Sequence, residues 1–72
     1  MDTPLERIAE LFRILSDPTR LRIVKVLTLE CESVSAIVEA TQLSQPLVSH
    51  HLRILREYGL VRAEPHGGYT YY

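Results

Sequence analysis

Leu43-Ser44-Gln45-Pro46-Leu47-Val48-Ser49-His50-His51-Leu52-Arg53-Ile54-Leu55-Arg56-Glu57-Tyr58-Gly59 is the stretch on which the reading of this chain turns. Ser44 is a residue type that caps a helix N-terminus, and Gly59 is the type that stops one at the C′ position. Between them Val48, Leu52 and Leu55 recur at helical spacing and predict a core stripe. Gln45, Ser49, Arg53 and Arg56 form a polar stripe, flanked by Pro46, His50 and Glu57. An ordinary solvated face is the alternative, but such a face is usually rich in Glu and Lys. This one offers Gln, Ser, His and Arg near the N-terminal end. Gln suits adenine, Arg suits guanine and Ser suits several partners, so the face has the chemistry of base edges and phosphates. A helix N-terminus adds its own attraction for phosphate.

Upstream, Val34, Ile37, Val38 and a weaker Thr41 fall at i, i+3, i+4 and i+7, with Ser33 placed to cap a helix from Val34 to Ala40. Only Thr41-Gln42-Leu43 separates it from Ser44. Two helices joined by so short a turn predict a helix-turn-helix over residues 34–58, whose second helix enters a major groove. Earlier still, Thr3-Pro4-Leu5-Glu6 reads as a capping box, and Asp17-Pro18 as a second cap-then-proline start that ends the first helix near Leu15. In that first helix Leu5, Ile8, Phe12 and Leu15 form one stripe, widened by Leu11 and Ile14. So broad a face fits either a long core helix or a helix shared with a second copy of the chain.

Downstream of Gly59, Leu60 to Glu64 alternates as a strand does, Pro65-His66-Gly67-Gly68 reads as a turn, and Tyr69-Thr70-Tyr71-Tyr72 is rich in β-formers. The expected fold is mainly α with a β-hairpin, in the order α-α-α-α-β-β. That is one winged helix-turn-helix domain over residues 1–72, with the wing at 60–72. A lone hairpin is marginal in water and should pack on the helices.

Composition agrees with a small globular unit: 72 residues, 46% hydrophobic and 24% charged. No apolar run approaches a membrane span. The start Met-Asp-Thr-Pro lacks the basic and apolar regions of a signal peptide. The single cysteine, Cys31, excludes an internal disulfide and suits a reducing cytoplasm. The net charge is −1. Residues 1–41 hold five basic and seven acidic side chains, and residues 42–72 hold three basic and two acidic. Binding to nucleic acid would rest on geometry and on two copies of the domain more than on bulk charge.

Leu15-Ser16-Asp17-Pro18-Thr19-Arg20-Leu21-Arg22-Ile23-Val24, then Leu43 to Leu52, then Leu55-Arg56-Glu57-Tyr58-Gly59-Leu60-Val61 together resemble the ArsR/SmtB family of repressors. The resemblance covers nearly the whole chain. It implies a homodimeric winged helix that represses an operon by binding an inverted repeat in double-stranded DNA, with helix 1 in the dimer interface and an inducer, often a metal ion, that releases the DNA. By position it implies base reading by Gln45, Ser49 and His50, and backbone contacts by Ser44 and Arg53. His51 matches a histidine of the family's pattern. It shares a flank with Leu47, Ile54 and Tyr58 and is read as partly buried and structural, with a base contact as the alternative. In the wing, Arg62 and His66 either reach phosphate or the minor groove, or the hairpin only completes the fold.

The sequence departs from that family where metal-sensing members carry Cys-Val-Cys. Ser33-Val34-Ser35 stands there, and Cys31 has no cysteine partner, so no helix-3 metal site is expected and no cofactor. Cys31 is read as a loop residue, with redox sensing or intermolecular pairing as the alternative. His50 and His51 diverge by roughly 100° on a helix and do not make a ligand set with a distant His66. Gln42 replaces a common turn glycine, and Gly67-Gly68 stands where relatives often have arginine. The family usually continues past the position of Tyr72 into a fifth helix, whereas this sequence stops at the wing, as either a piece of a longer chain or a short member. The inducer stays unassigned. Catalysis is not expected: Ser49 and His50 are helix neighbours that cannot face each other, and there is no phosphate loop or paired acidic site. The competing function is a winged helix that binds protein rather than DNA.

Overall fold

The computed structural model describes residues 3–72, the side chain of Tyr69 apart; Met1 and Asp2, read above for a leader, lie outside the described residues. Four helices precede a two-stranded hairpin: α1 (Pro4–Leu15), α2 (Pro18–Leu27), α3 (Val34–Thr41), α4 (Gln45–Glu57), β1 (Glu64–His66) and β2 (Tyr69–Tyr71). The expected α-α-α-α-β-β order is the observed one.

Each helix begins where its cap chemistry places it. Thr3 and Glu6 form a reciprocal capping box, at 3.1 and 2.8 Å. Asp17 accepts from the backbone N–H groups of Thr19 and Arg20. Ser33 and Ser44 each accept from a backbone N–H in the first turn of α3 and α4. The end of α4 is a Schellman motif: Leu60 N donates to the Leu55 carbonyl at 2.9 Å and Gly59 N to the Arg56 carbonyl at 3.0 Å. Gly59 takes φ 73°, which is why glycine suits that position. The α3–α4 turn makes the same left-handed excursion without glycine, at Gln42, with φ 60° and ψ 22°.

The core is Ile14 from α1, Ile23 from α2, Ile37 from α3, and Val48, Leu52 and Leu55 from α4. Half of these side chains belong to α4, so the predicted apolar stripe is what seats that helix. Each is almost fully buried, and burial of an aliphatic side chain contributes about 1.5–3 kcal/mol. Thr41, read as a weak apolar position, is buried through its hydroxyl, which donates to the Ile37 carbonyl at 2.7 Å.

Two expectations are corrected. The first strand is Glu64–His66 and not Leu60 to Glu64, and the turn is Gly67-Gly68 alone. Leu60 and Val61 instead pack against the core directly after the Schellman turn. Pro65 sits inside β1, paired with Thr70. It is tolerated because β1 is an edge strand, where a missing N–H goes unused. The second strand is flanked on its other side by residues 32–33: Ser33 bridges Tyr71, and Glu32 and Tyr72 exchange backbone hydrogen bonds at 3.1 and 2.9 Å. The wing is thereby tied to the start of α3. In helix 1, Ile14 is buried and Leu11 and Leu15 are half-buried, while Leu5, Ile8 and Phe12 are 79%, 49% and 69% exposed.

Candidate nucleic-acid interface

With Val48, Leu52 and Leu55 turned inward, the rest of the α4 surface is left to solvent. Gln45, Pro46, His50 and Arg53 are exposed there and Ser49 is half-buried. Gln45 Nε2 lies 3.5 Å from Ser49 Oγ. The pair occupies one helix face one turn apart, and neither is held by the core. The first turn of α4 contains no acidic residue, so nothing there opposes the positive end of the helix dipole. Ser44 is exposed, but its hydroxyl is engaged by the N–H of Leu47 at 3.3 Å. Its work inside the fold is to cap.

His50 and His51 separate as their spacing requires. His50 is exposed and meets the His51 ring edge-on, with centroids 5.1 Å apart. His51 is 7% exposed, and its Nδ1 accepts from Arg20 Nε at 3.2 Å. Its structural role follows from that bond and from its burial. Burial pushes the His51 pKa below the ordinary histidine value; the Asp17 carboxylate pulls the other way, while Arg20 and His50 reinforce the lowering. Because Arg20 donates to Nδ1, that nitrogen carries no proton and the neutral ring holds its proton on Nε2.

The wing residues stand apart from this face. Arg62 is 88% exposed, with Nε 3.8 Å from Glu64 Oε2, and His66 is exposed with its ring edge against Tyr71, centroids 5.8 Å apart. Among the described residues, no hydrogen bond or ion pair joins Arg62 or His66 to α4. A bidentate grip is not formed between Arg62 and Glu64, and a pair so exposed contributes little, so Arg62 remains available to another anion.

Sequence reasoning passed over the residues that hold α4 from behind. Arg22 Nη2 donates to the carbonyl of Thr41, the last residue of α3. Arg20 ties α2 to both α1 and α4. Tyr58 donates to Glu10 Oε1 at 3.2 Å, joining the end of α4 to α1. Hydrogen bonding to Arg13 holds the Glu10 carboxyl below its ordinary pKa. The Asp17-Pro18-Thr19-Arg20 run carries a cap and part of the family resemblance, but nothing in it assigns Arg20 a contact. Its arginine lies on the buried side of α2, and the sequence offered no partner for it.

Among the described residues there is no group of His, Cys, Asp and Glu able to hold a metal ion. No helix of theirs is long and apolar enough to cross a membrane. Cys31 is a free, exposed thiol.

The sequence profile of the bacterial regulatory proteins of the arsR family matches residues 17–63. The chain is 40% identical over 68 residues to the HTH-type transcriptional regulator MJ1325 of Methanocaldococcus jannaschii, covering 93% of this chain and 76% of that one. It is 41% identical over 63 residues to the HTH-type transcriptional repressor SmtB of Mycobacterium tuberculosis, covering 88% of this chain and 47% of the repressor. It is 42% identical over 64 residues to the arsenical resistance operon repressor of Escherichia coli, covering 88% and 55%. The chain thus spans about half the length of these two repressors. The crystal structure of M. tuberculosis Rv0081 superposes with a TM-score of 0.85 at 30% identity, over 97% of this chain and 72% of that one. These relatives are regulators and not enzymes, and the superposition confirms the winged-helix arrangement. On the profile match and on relatives of about 40% identity, the chain belongs to the arsR family of bacterial regulatory proteins.

Proposed function

We propose that residues 1–72 form one winged helix-turn-helix domain that binds double-stranded DNA sequence-specifically and represses transcription as a homodimer on an inverted-repeat operator. The observation that carries this is the two-sidedness of α4. Three of its side chains are locked into the core, and its solvent side offers Gln45, Ser49, His50 and Arg53 with no acid in the first turn. Gln45, Ser49 and His50 read base edges in the major groove, with Pro46 packing beside them. Ser44 and Arg53 position the DNA backbone, Ser44 through the cap it makes. Arg62 and His66 approach phosphate from the wing.

The exposed row Leu5, Ile8 and Phe12 supports the homodimer. Apolar side chains of that size along one helix are costly to leave in water, and a two-fold operator requires a second copy. The relatives named as repressors support the direction of regulation. An inducer is not assigned.

In vitro selection of bound DNA tests the whole reading at once. The expected product is an inverted repeat with a reproducible half-site. On that duplex, Arg53→Ala should weaken binding for all sequences and reduce the salt slope by about 1. Gln45→Ala should cost ~1–3 kcal/mol and relax preference at one position of each half-site. The competing reading, a protein-binding winged helix, draws on the net charge of −1. Selection that enriches no sequence, with no salt-dependent binding, would favour it.

A further inference from the structure

One guanidinium joins the helix proposed to dimerise to the helix proposed to read DNA. The Arg20 side chain is 16% exposed and lies between three helices. Its Nη1 donates to the Ile14 carbonyl near the end of α1 at 2.8 Å. Its Nε donates to Nδ1 of His51, in the middle of α4, at 3.2 Å. Its Nη2 lies 3.9 Å from Asp17, the cap of its own helix. Asp17 is itself fixed by two backbone N–H groups, so the arginine is anchored at its base as well as at its tip.

The geometry of such a link differs from that of an apolar contact. Packed aliphatic side chains can slide by small amounts at little cost. A planar guanidinium sets its donors on fixed vectors and holds two acceptors at a defined separation and angle. The acceptors here are a backbone carbonyl of α1 and a ring nitrogen of α4. The His51 ring is buried and neutral and presents Nδ1 as a bare acceptor, so the bond is defined on both sides. Ser49 lies across the helix from His51, and Gln45 lies one turn before Ser49 on the same exposed flank. In a two-fold dimer built on α1, the distance between the two copies of α4 depends on how each is held against its own α1, and half-site spacing follows from that distance.

We infer that Arg20 is a positioning residue: through His51 it fixes the orientation of α4 relative to α1 and so sets the operator spacing the dimer accepts. This rests on the proposed DNA-binding homodimer. Arg20 touches no DNA in this scheme. It acts on the alignment of two binding events, and binding of a single half-site does not need it.

The test compares three probes: the selected two-fold duplex, a duplex carrying one half-site, and two-fold duplexes whose spacer is changed by one base pair. Arg20→Lys keeps the charge but cannot reach both acceptors. His51→Leu removes the acceptor, and His51→Asn restores an oxygen close to the place of Nδ1. Arg20→Lys and His51→Leu should lose about tenfold on the two-fold duplex, change less than about twofold on the half-site, and lose their preference among spacers. His51→Asn should stay within about threefold of the wild type on every probe. Equal losses on the two-fold and half-site duplexes would mean general damage to the fold and would overturn the inference. So would no loss at all, a His51→Asn variant that behaves like His51→Leu, or a chain that stays monomeric on the two-fold duplex. If circular dichroism shows Arg20→Lys unfolded, the two His51 variants decide the question by the same criteria. Failure of the wild type to bind any selected DNA would instead overturn the regulator reading itself, a result separable from all of these.

Discussion

Replacing Gln42 by glycine should make this protein more stable, although it removes a hydrogen bond. Gln42 ends α3 with φ 60° and ψ 22°, in the left-handed region. An L-residue with a Cβ pays roughly 1–2 kcal/mol there, whereas glycine enters it freely. The native side chain recovers part of this by donating from Nε2 to the Glu39 carbonyl at 2.7 Å. That bond is exposed, so its net worth is about 0.5 kcal/mol, at the low end for hydrogen bonds. Glycine also loses more backbone entropy on folding, which offsets a further few tenths. The balance is a gain of about 0.5–1 kcal/mol, and for a domain of this size that raises Tm by about 2–8 °C. Asn, which tolerates the left-handed region, should fall between Gln and Gly, and Val should destabilise by more than about 1 kcal/mol. Urea titration of the four proteins at constant m-value gives the order directly. If Gln42→Gly were less stable than the wild type, or Val no worse than Asn, the claim that this turn is held against a backbone preference would be wrong. DNA affinity should not change in Gln42→Gly, since α4 keeps its cap at Ser44 and its buried stripe.

Other outcomes follow from the same contacts. The pKa of His51 is lowered in the fold, so the unfolded chain binds its proton more readily, and stability is full above the ordinary histidine value and falls as pH drops through about 6.5 toward the native value. Urea midpoints measured across that range should decline in the wild type and lose this component in His51→Asn; parallel profiles would refute the assignment of a neutral His51. Leu52→Ala empties a fully enclosed position on α4 and should cost about 2–5 kcal/mol, enough to leave much of a chain this small unfolded at 37 °C by circular dichroism. Ser44→Ala removes the acceptor for Leu47 N–H and should cost about 1 kcal/mol, and a thermal melt unchanged within error would deny the cap its role.

The local sequence carried the helices because their ends are written in short-range chemistry. Thr3, Asp17, Ser33 and Ser44 need only the backbone two or three residues ahead, and Gly59 needs only its own freedom at positive φ. The stripe Val48, Leu52 and Leu55 was legible for a similar reason: one periodicity decides both that the segment is helical and which side is buried. Once that side is known, helix geometry alone puts Pro46, His50 and Arg53 on the far side and Ser49 and Gln45 on the flank beside Leu52.

The wing was less legible. Leu60 to Glu64 alternates as a strand would, but Leu60 and Val61 are worth more buried against the helices than paired in a ladder. The strand therefore starts later, at Glu64, and runs through a proline that only an edge position admits. The partner of β2 on its other side, residues 32–33, is far away in the chain and carries no local signature. Helix 1 was ambiguous for a different reason. Its apolar residues encircle more of the helix than one small core can cover, and periodicity does not say which of them the core takes. Packing chose Ile14, with Leu15 at the margin of the core, and left Leu5, Ile8 and Phe12 outside.

Ser44 to Gly59 shows the division most plainly. By itself the sequence determined that this segment is a capped helix with an apolar side and a polar side, since both properties arise within a few residues of chain. Only the tertiary structure decided what aims it. The contacts of Arg20 with His51 and Ile14, of Arg22 with Thr41, and of Tyr58 with Glu10 join residues distant in sequence. A guanidinium can meet any acceptor within reach, and which acceptor comes within reach is settled by how α1, α2 and α4 close over Ile14, Ile23 and Leu52.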